Sequence, residues 1–537
     1  MTLVPTNPNP YWGRTTVPSI FEPFGSRLDN RVITFIMRLL ELDPGDSTRV
    51  SGEGPDADAL RLSLLRTQIE LPTGRGGLGF APVGGKTASA AYLASFAESV
   101  PTIARLVGTF VLHNSEEHGT VFRSVVTAAA RAAAAALSPA GVDTPFPIAS
   151  ALSAINAQVA IAEDLNDPAA PGKLQEAISA GTHDVNFKFL YDAGTPTAWM
   201  RFKLRAQADP RTAAWLNVLP AKHLHTTMSN RRFVDAVRNL LGLHPLPRKR
   251  ALTASAAATP PRVDEPCQAC LARDGSSRPF NAAHPFYCNV SGFKREHDIV
   301  RDAIHIAVSE QIRDSDNGRL FATTEPKYDE VEGLVARSAH ERMTTAAHYG
   351  RSVTPRPDKP VRGDILIRHV EDEAAVPSIH LFDLVFSGPP GRFVTAPSSE
   401  LNSSKVTNDT YCDIAHRNKW IHYDIDLVPE QGASIRFHPL AFDRASGYIS
   451  GKTQLSIDTI ADIIDKFSRT SSSKHSVRQN LYDRVSVAIQ NGIAARISVT
   501  RFDHYRAQQV AGAGGGAGGD AQVGAGAGGA VAAGAAR

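Results

Sequence analysis

The chain of 537 residues carries 57 basic and 54 acidic groups, a net charge of +3, and 42% hydrophobic residues, a balance that marks neither a strongly basic tail nor an acidic, solvating protein. At roughly 100–200 residues per domain it is long enough for about three domains with buried cores. Its 41 Gly and 35 Pro fall short of a collagen-like or wholly disordered composition, and four cysteines in so long a chain exclude a disulfide framework.

In chain order, a lead containing Pro5, Pro8 and Pro10 lacks the basic start and apolar core of a secretory signal. The pattern RLDNRVITFIMRLLEL follows, in which Val32, Phe35, Ile36 and Leu39 recur at helical steps. Next comes the glycine-dense loop LPTGRGGLGFAPVGGK, and then helical text from Thr87 to about Leu112. The stretch 118–240 predicts further helices broken at Pro139, Pro145, Pro147 and Pro168. Its alanine run, Thr127 to Leu137, is interrupted by Arg131 and is far below the ~20 residues that span a bilayer, so no membrane segment is expected. Leu246 to Arg262 has linker composition. A helix from Ile299 to Ile312 precedes two strand-like runs, ILIRHV at 365–370 and SIHLFDLVF at 378–386. A helix near 413–423 and two more within 452–500 close the patterned part, and the Gly/Ala text from Ala511 has nothing to bury and is expected to be disordered.

Four signals carry chemistry. Gly85-Lys86-Thr87 resembles the end of a P-loop, but the glycine that motif needs five residues earlier is Phe80, so the loop reads as a structural turn. Cys267 and Cys270, then thirteen residues, then His284 and Cys288 supply three sulfurs and one imidazole in two short-spaced pairs, a donor set suited to tetrahedral Zn²⁺. Between 201 and 250, eleven basic residues stand against Asp209 and Asp235, a local charge of +9. Such a patch is the footprint of a polyanion binder, or else a solvated helical face. The PRKR at 247–250 is also a candidate nuclear-localisation signal.

The fourth signal is a set of acids. Asp383 interrupts the apolar run Ile379 to Phe386, where an unpaired carboxylate costs several kcal/mol. Asp364 opens the preceding strand, so a hairpin sets the two side by side, and Glu325 follows Leu320-Phe321-Ala322. Ala415, Lys419 and Tyr423 recur at i, i+4 and i+8, which puts Lys419 and Tyr423 on one helix face. Acids from adjacent elements with a lysine are what metal-assisted phosphodiester hydrolysis requires, with Mg²⁺ or Mn²⁺ held by Asp364, Asp383 and Glu325. A buried Asp paired with an arginine such as Arg362 accounts for the same pattern without catalysis.

These residues together resemble the part of a non-LTR retrotransposon polyprotein that follows the reverse transcriptase, in the branch with a restriction-enzyme-like nuclease. Gln68-Ile69-Glu70-Leu71-Pro72, Gly76-Gly77-Leu78-Gly79 and Ala91 to Ser95 are similar to the thumb-side stretch. Ala214-Trp215-Leu216, Pro220, Phe233, Ala236 and Leu241-Gly242 are similar to the helical segment ahead of a CCHC zinc knuckle. The four zinc-type ligands match that knuckle, and Arg295-Glu296-His297-Asp298 resembles the family's Arg-His-Asn/Asp box, with Glu296 where Arg usually precedes the His. Asp364 and Asp383 match the strand acids of a PD-(D/E)XK nuclease, and Glu325 its further acid. Val385 stands where that motif keeps its lysine, and Lys419, with Tyr423, matches the lysine moved to the next helix. Phe437 to Phe442 and Gly447 resemble the strand that follows.

The resemblance implies an α+β protein. An all-helical N-terminal half would comprise a thumb-like region at 1–115 and a basic helical region at 116–250. A linker and zinc knuckle at 251–290 would precede a mixed α/β restriction-endonuclease-like domain at 291–450, helices at 451–510 and a disordered tail at 511–537. It implies catalytic Glu325, Asp364, Asp383, Lys419 and Tyr423, and structural zinc on Cys267, Cys270, His284 and Cys288. Nucleic-acid contacts are expected from Arg231, Arg232, Arg238, Lys249, Arg295 and His297. The expected activity is a DNA endonuclease that nicks target DNA, with DNA and the RNA of a parent element as partners, in the nucleus. No Tyr/Phe-x-Asp-Asp motif occurs, so no polymerase activity is expected. The competing expectation is a catalytically inactive zinc- and nucleic-acid-binding remnant or co-opted module.

Overall fold

The computed structural model describes residues 18–42, 55–84, 174–195, 197–245, 266–288, 293–314, 320–327, 331, 333–352, 363–370, 376–388, 397, 408–467 and 474–515. The chain is a mixed α+β protein, and among the described residues no helix is long and apolar enough to cross a membrane. The described part of the first 245 residues is helical: α1 (Pro18–Leu39), α2 (Pro55–Glu70), α3 (Leu174–Ala193), α4 (Ala198–Gln207), α5 (Pro210–Ala213) and α6 (Asn230–Leu240). The helical text at 87–112, all of 118–173 and the GKT at 85–87 lie outside the described residues.

The phase of α1 differs from the expected face. Ile33, Ile36 and Leu40 are buried, whereas Phe35 is 59% exposed and Leu39 is partly exposed. The core beneath α1 includes Leu65, Ile69, Trp215, Val237 and Leu240, and the helix turns its narrower isoleucine stripe toward it. The glycine loop after α2 is a tight structural turn. Gly76 and Gly79 have φ of 77° and 75°, and a Cβ on Gly77 would sit 2.0 Å from the Leu71 carbonyl oxygen.

Downstream, α7 (Gln268–Asp274) and α8 (His284–Tyr287) frame the cysteine cluster, and α9 (Phe293–Asp314) leads into the strands. These are β1 (Leu320–Thr324), β2 (Leu334–Ala336), then after α10 (Ala339–His348) β3 (Ile365–His369) and β4 (Ser378–Ser387). After α11 (Asn408–Asp426) come β5 (Leu427–Pro429) and β6 (Ser434–Asp443), followed by α12 (Gly451–Phe467) and α13 (Lys474–Gly515). The main sheet has the order β1-β3-β4-β6, antiparallel except for the parallel β4–β6 pair, and β2 pairs with β5.

Both faces of β4 are covered, which is why it reads as a nearly continuous apolar run rather than an alternating one. Ile365, Ile367, Phe382, Leu384, Leu440 and Phe442 pack against α9, α12 and α13. Leu366, Ile379 and Leu381 face the other way, against Tyr423 of α11 and Leu427.

At about 1.5 Å per residue the 42-residue α13 is about 63 Å long. Its Val487 and Ala494 join the N-terminal helical core, while Val485, Ile489, Ile493 and Ile497 join the sheet core. A helix buried on two sides has no single apolar stripe. Ion pairs fix it: Arg484 to the half-buried Glu310 of α9, and the buried pairs of Arg496 with Glu296 of α9 and Arg501 with Asp235 of α6. The expected C-terminal helices at 451–510 therefore share one core with the sheet, and α13 continues past Ala511 to Gly515, into text expected to be disordered. The remainder of that tail, 516–537, lies outside the described residues.

Candidate functional site

Two clusters of potential ligands stand out among the described residues. The first is Cys267, Cys270, His284 and Cys288, all buried, with ligand atoms within 4.8 Å of one another. Local folding accounts for the convergence. Cys267 caps the N-terminus of α7, which puts Cys270 one turn on, and its amide donates to the Arg278 carbonyl at 2.7 Å. His284 opens α8 and Cys288 closes it, its amide donating to the His284 carbonyl at 2.9 Å. Gly275, with φ of 68°, ends α7 and sends the chain back.

The Cys270 sulfur lies 3.5 Å from that of Cys288 and 3.7 Å from His284 Nε2. Tetrahedral zinc requires separations of about 3.7 Å for S···S and about 3.6 Å for S···N, so the donor set fits such an ion. Burial and the hydrogen bond to Cys288 push the Cys270 thiol up to about 11, and the Cys288 bond and burial raise Cys267 as well. A central cation reverses that balance by favouring thiolate. Phe280 stacks on His504 of α13 at 4.3 Å, and the Gln268 amide donates to His504 Nδ1 at 3.3 Å. Arg496 ties the knuckle to the rest: its Nε donates to the Pro285 carbonyl at 2.7 Å, Nη2 to Phe286 at 2.9 Å and Nη1 to Glu296 at 2.9 Å.

The second cluster is His297, Asp364 and Asp383. The β3–β4 register pairs Ile365 with Phe382, and Asp364 donates its amide to the Phe382 carbonyl at 3.2 Å, so Asp364 stands opposite Asp383. Asp364 lies just before β3, and its Oδ2 accepts from the Leu384 amide at 2.5 Å, filling the place of a ladder bond. The same oxygen lies 3.0 Å from His297 Nε2. Asp383 Oδ2 accepts from Lys419 Nζ of α11 at 2.6 Å.

The electrostatics divide the two acids. Burial opposes ionisation of Asp364, but the His297 hydrogen bond, the bond to Asp383 and the Leu384 amide outweigh it and hold its carboxyl down at about 2. Burial, the hydrogen bond to Asp364 and that neighbour's charge push Asp383 up to about 7, against the pull of Lys419. Like carboxylates in contact disfavour each other's charge, which drives the two in opposite directions. His297, Asp364 and Asp383 each offer one ligand atom within 4.8 Å of the others, close enough to share a cation.

The other expected site residues distribute as follows. Glu325 does not join the acids: its amide donates to the Asp364 carbonyl at 3.0 Å, but its carboxylate is bound by Arg301, which also holds Asp298 and Asp302. Its carboxylate is therefore turned to a guanidinium on α9 and stands apart from the cluster of His297, Asp364 and Asp383. Tyr423 also departs from its expected catalytic place; it is buried, stacked on Phe437 with ring centroids 4.7 Å apart, within the apolar cluster under α11. His297, expected at DNA, is instead engaged with Asp364.

The basic patch is smaller than its composition suggests. Arg238 is buried, donating to the carbonyls of Glu41 at 2.7 Å and His244 at 2.8 Å, so it is a structural cation and not a nucleic-acid contact. Arg201 and Lys203 are likewise buried, the first over Tyr191 and the second over Trp199. Arg231 and Arg295 are exposed. Arg232 is half-buried and donates to Asn491 at 3.1 Å; burial and then Arg295 lower its pKa, which sets these two cations near each other. Lys249 and the PRKR run lie outside the described residues, as does Arg362.

Sequence reasoning missed the inward role of His297, the Arg301–Glu325 pair and the Arg496–Glu296 pair. Only the departure of Glu296 from the family's box hinted that this turn of α9 faces inward. No protein-family model matches the chain, and no curated protein matches it.

Proposed function

We propose that this chain is the endonuclease portion of a retrotransposon-derived protein, nicking target DNA in the nucleus by metal-dependent phosphodiester hydrolysis. Zn²⁺ would sit at the Cys267-Cys270-His284-Cys288 cluster as a structural ion, and Mg²⁺ or Mn²⁺ at Asp364 and Asp383. The observation that carries the reading is the meeting of two buried carboxylates from adjacent strands with Lys419 at 2.6 Å and His297 at 3.0 Å. Each acid has its own partner, yet two buried carboxylates on adjacent strands still raise the cost of one another's charge, a pattern that clusters at functional sites.

A divalent ion bound there supplies a Lewis acid and an acidified water. Asp364, kept ionised by His297 and the Leu384 amide, would offer one oxygen to the ion, and Asp383, with its proton passing to solvent, a second. Lys419, which holds Asp383 at 2.6 Å, would set a positive charge beside the scissile phosphate. The Arg231, Arg232 and Arg295 surface adds salt-dependent backbone affinity, with DNA as the substrate and the RNA of a parent element as a further partner.

The test is nicking of supercoiled plasmid by the zinc-loaded chain with Mg²⁺ or Mn²⁺. Wild-type protein is expected to convert plasmid to open circles, and Asp383→Asn, which keeps volume and fold, to leave it intact. Equal, background-level nicking by both would leave the second reading, a binding module without chemistry. The closed charge compensation of Asp383 by Lys419 favours that reading.

A further inference from the structure

The sheet face that carries Asp383 also carries a groove of about 490 Å³, within the range of nucleotide- and drug-sized sites. Its position follows from the register. Beyond the level of Glu325, Asp364 and Asp383, the next level on this face holds Thr323, Leu366 and Leu381, and the one after holds Phe321, Arg368 and Ile379. Each level is one two-residue strand step, about 6.8 Å. The floor is apolar, from Leu366 and Ile379, while Arg368, Lys327 and Thr323 line it with polar atoms. Phe321, on edge strand β1, is 54% exposed at its rim. Glu325 closes the end toward the acids, held there by Arg301 in a left-handed conformation with φ of 50°.

We infer that this groove binds single-stranded DNA, seating the nucleotide next to the phosphate held at Asp364 and Asp383. This rests on the nuclease reading for its occupant. An exposed aromatic face, an apolar floor and flanking cations are the means by which proteins hold unpaired bases and their backbone without sequence preference. A duplex cannot offer an unstacked base to Phe321, so the groove acts on a strand already opened at the cleavage point. Arg368 and Lys327 complement the phosphates that flank that base.

The test uses the full zinc-loaded chain without added Mg²⁺ and a fluorescein-labelled dT dodecamer, read by anisotropy against a duplex of equal length. Phe321→Ala and Arg368→Gln are each expected to weaken dodecamer binding about fivefold or more and duplex binding about twofold or less. Phe321→Tyr should bind as wild type. A bromodeoxyuridine dodecamer is expected to photo-crosslink to the peptide containing Phe321. Unchanged dodecamer affinity in both variants, or a crosslink confined to other peptides, overturns the groove. If wild type nicks plasmid while the groove variants bind normally, the groove fails and the nuclease stands. If nothing nicks but Phe321→Ala selectively weakens the dodecamer, the nuclease reading fails and the groove stands as a single-strand site.

Discussion

The cysteine cluster and the acid cluster make an instructive pair. All four sulfur and nitrogen donors of the first come from 22 consecutive residues, held by two short helices and one glycine turn. The second draws His297 from α9, Asp364 from the start of β3, Asp383 from mid-β4 and Lys419 from α11, elements spread over more than a hundred residues. A local site is written in its spacing, because short helices leave few ways to arrange the ligands. A site assembled across elements depends on which side chain meets which, and its membership changes with one competing cation. Arg301 takes Glu325 out of the acid cluster, and His297 takes its place.

The largest expected effect breaks the local site. Cys270→Ala should abolish stoichiometric zinc by elemental analysis and melt the knuckle, since structural zinc sites contribute apparent binding energies of about 10–16 kcal/mol. Full zinc occupancy in that variant would refute the ligand set. Next comes the joint between the two regions. Arg496 and Glu296 are each 0% exposed, and removing one partner of a buried pair costs about 3–5 kcal/mol. Arg496→Met should therefore lower the denaturation midpoint strongly. Arg496→Met combined with Glu296→Leu should recover part of the loss, and a double variant no better than the single would show that the carbonyl contacts of Arg496 dominate.

A third measurement sharpens the membership of the distributed site. Nicking rates should fall more in His297→Ala than in Glu325→Gln, because only His297 contacts Asp364 through its side chain. The reverse order would restore Glu325 as the working acid.

The smallest effect concerns three histidines on the sheet behind the acids. His369 Nε2 lies 3.2 Å from His380 Nε2, and His380 Nδ1 lies 2.9 Å from His438 Nε2. Burial, then His438, His369 and Arg436, lower His380 to about 3; burial, then Arg436 and His416, lower His438 to about 4. With folded values below the ordinary 6.5, the unfolded chain binds more protons, so this stability is present above pH 6.5 and is lost as pH falls toward 4. His380→Gln should flatten the dependence of melting temperature on pH between 6.5 and 4.5, and zinc loss, common to both proteins, cancels in the comparison. Parallel curves would mean the ladder stays neutral in both states.

The strands at 365–370 and 378–386 were legible because an apolar run with a charged turn before it has few alternatives, and β3 and β4 fall within those bounds to one residue. The two aspartates were legible as candidate neighbours because a hairpin can set them side by side, while the register that does so, Ile365 opposite Phe382, came from the structure. The phase of α1 was not, since Phe35 and Leu39 fit an apolar stripe as well as Ile33 and Leu40 do, and only the core beneath selects between them. Nor was α13. A helix buried on two sides shows no single stripe, and its Gly/Ala end reads as disorder until the chain reaches Gly515.

What the sequence determined alone is whatever a short stretch of backbone can enforce: the donor set of the cysteine cluster and the helical register of Lys419. What the tertiary structure decided is the fate of each charge. Arg238 and Arg496 are as basic on paper as Arg231, yet both are buried and bound to backbone carbonyls while Arg231 stays exposed. A charged side chain carries the same formula in every setting. Whether it faces water, a carbonyl or an opposite charge depends on residues far away in the chain, because desolvation must be compensated wherever packing removes the water.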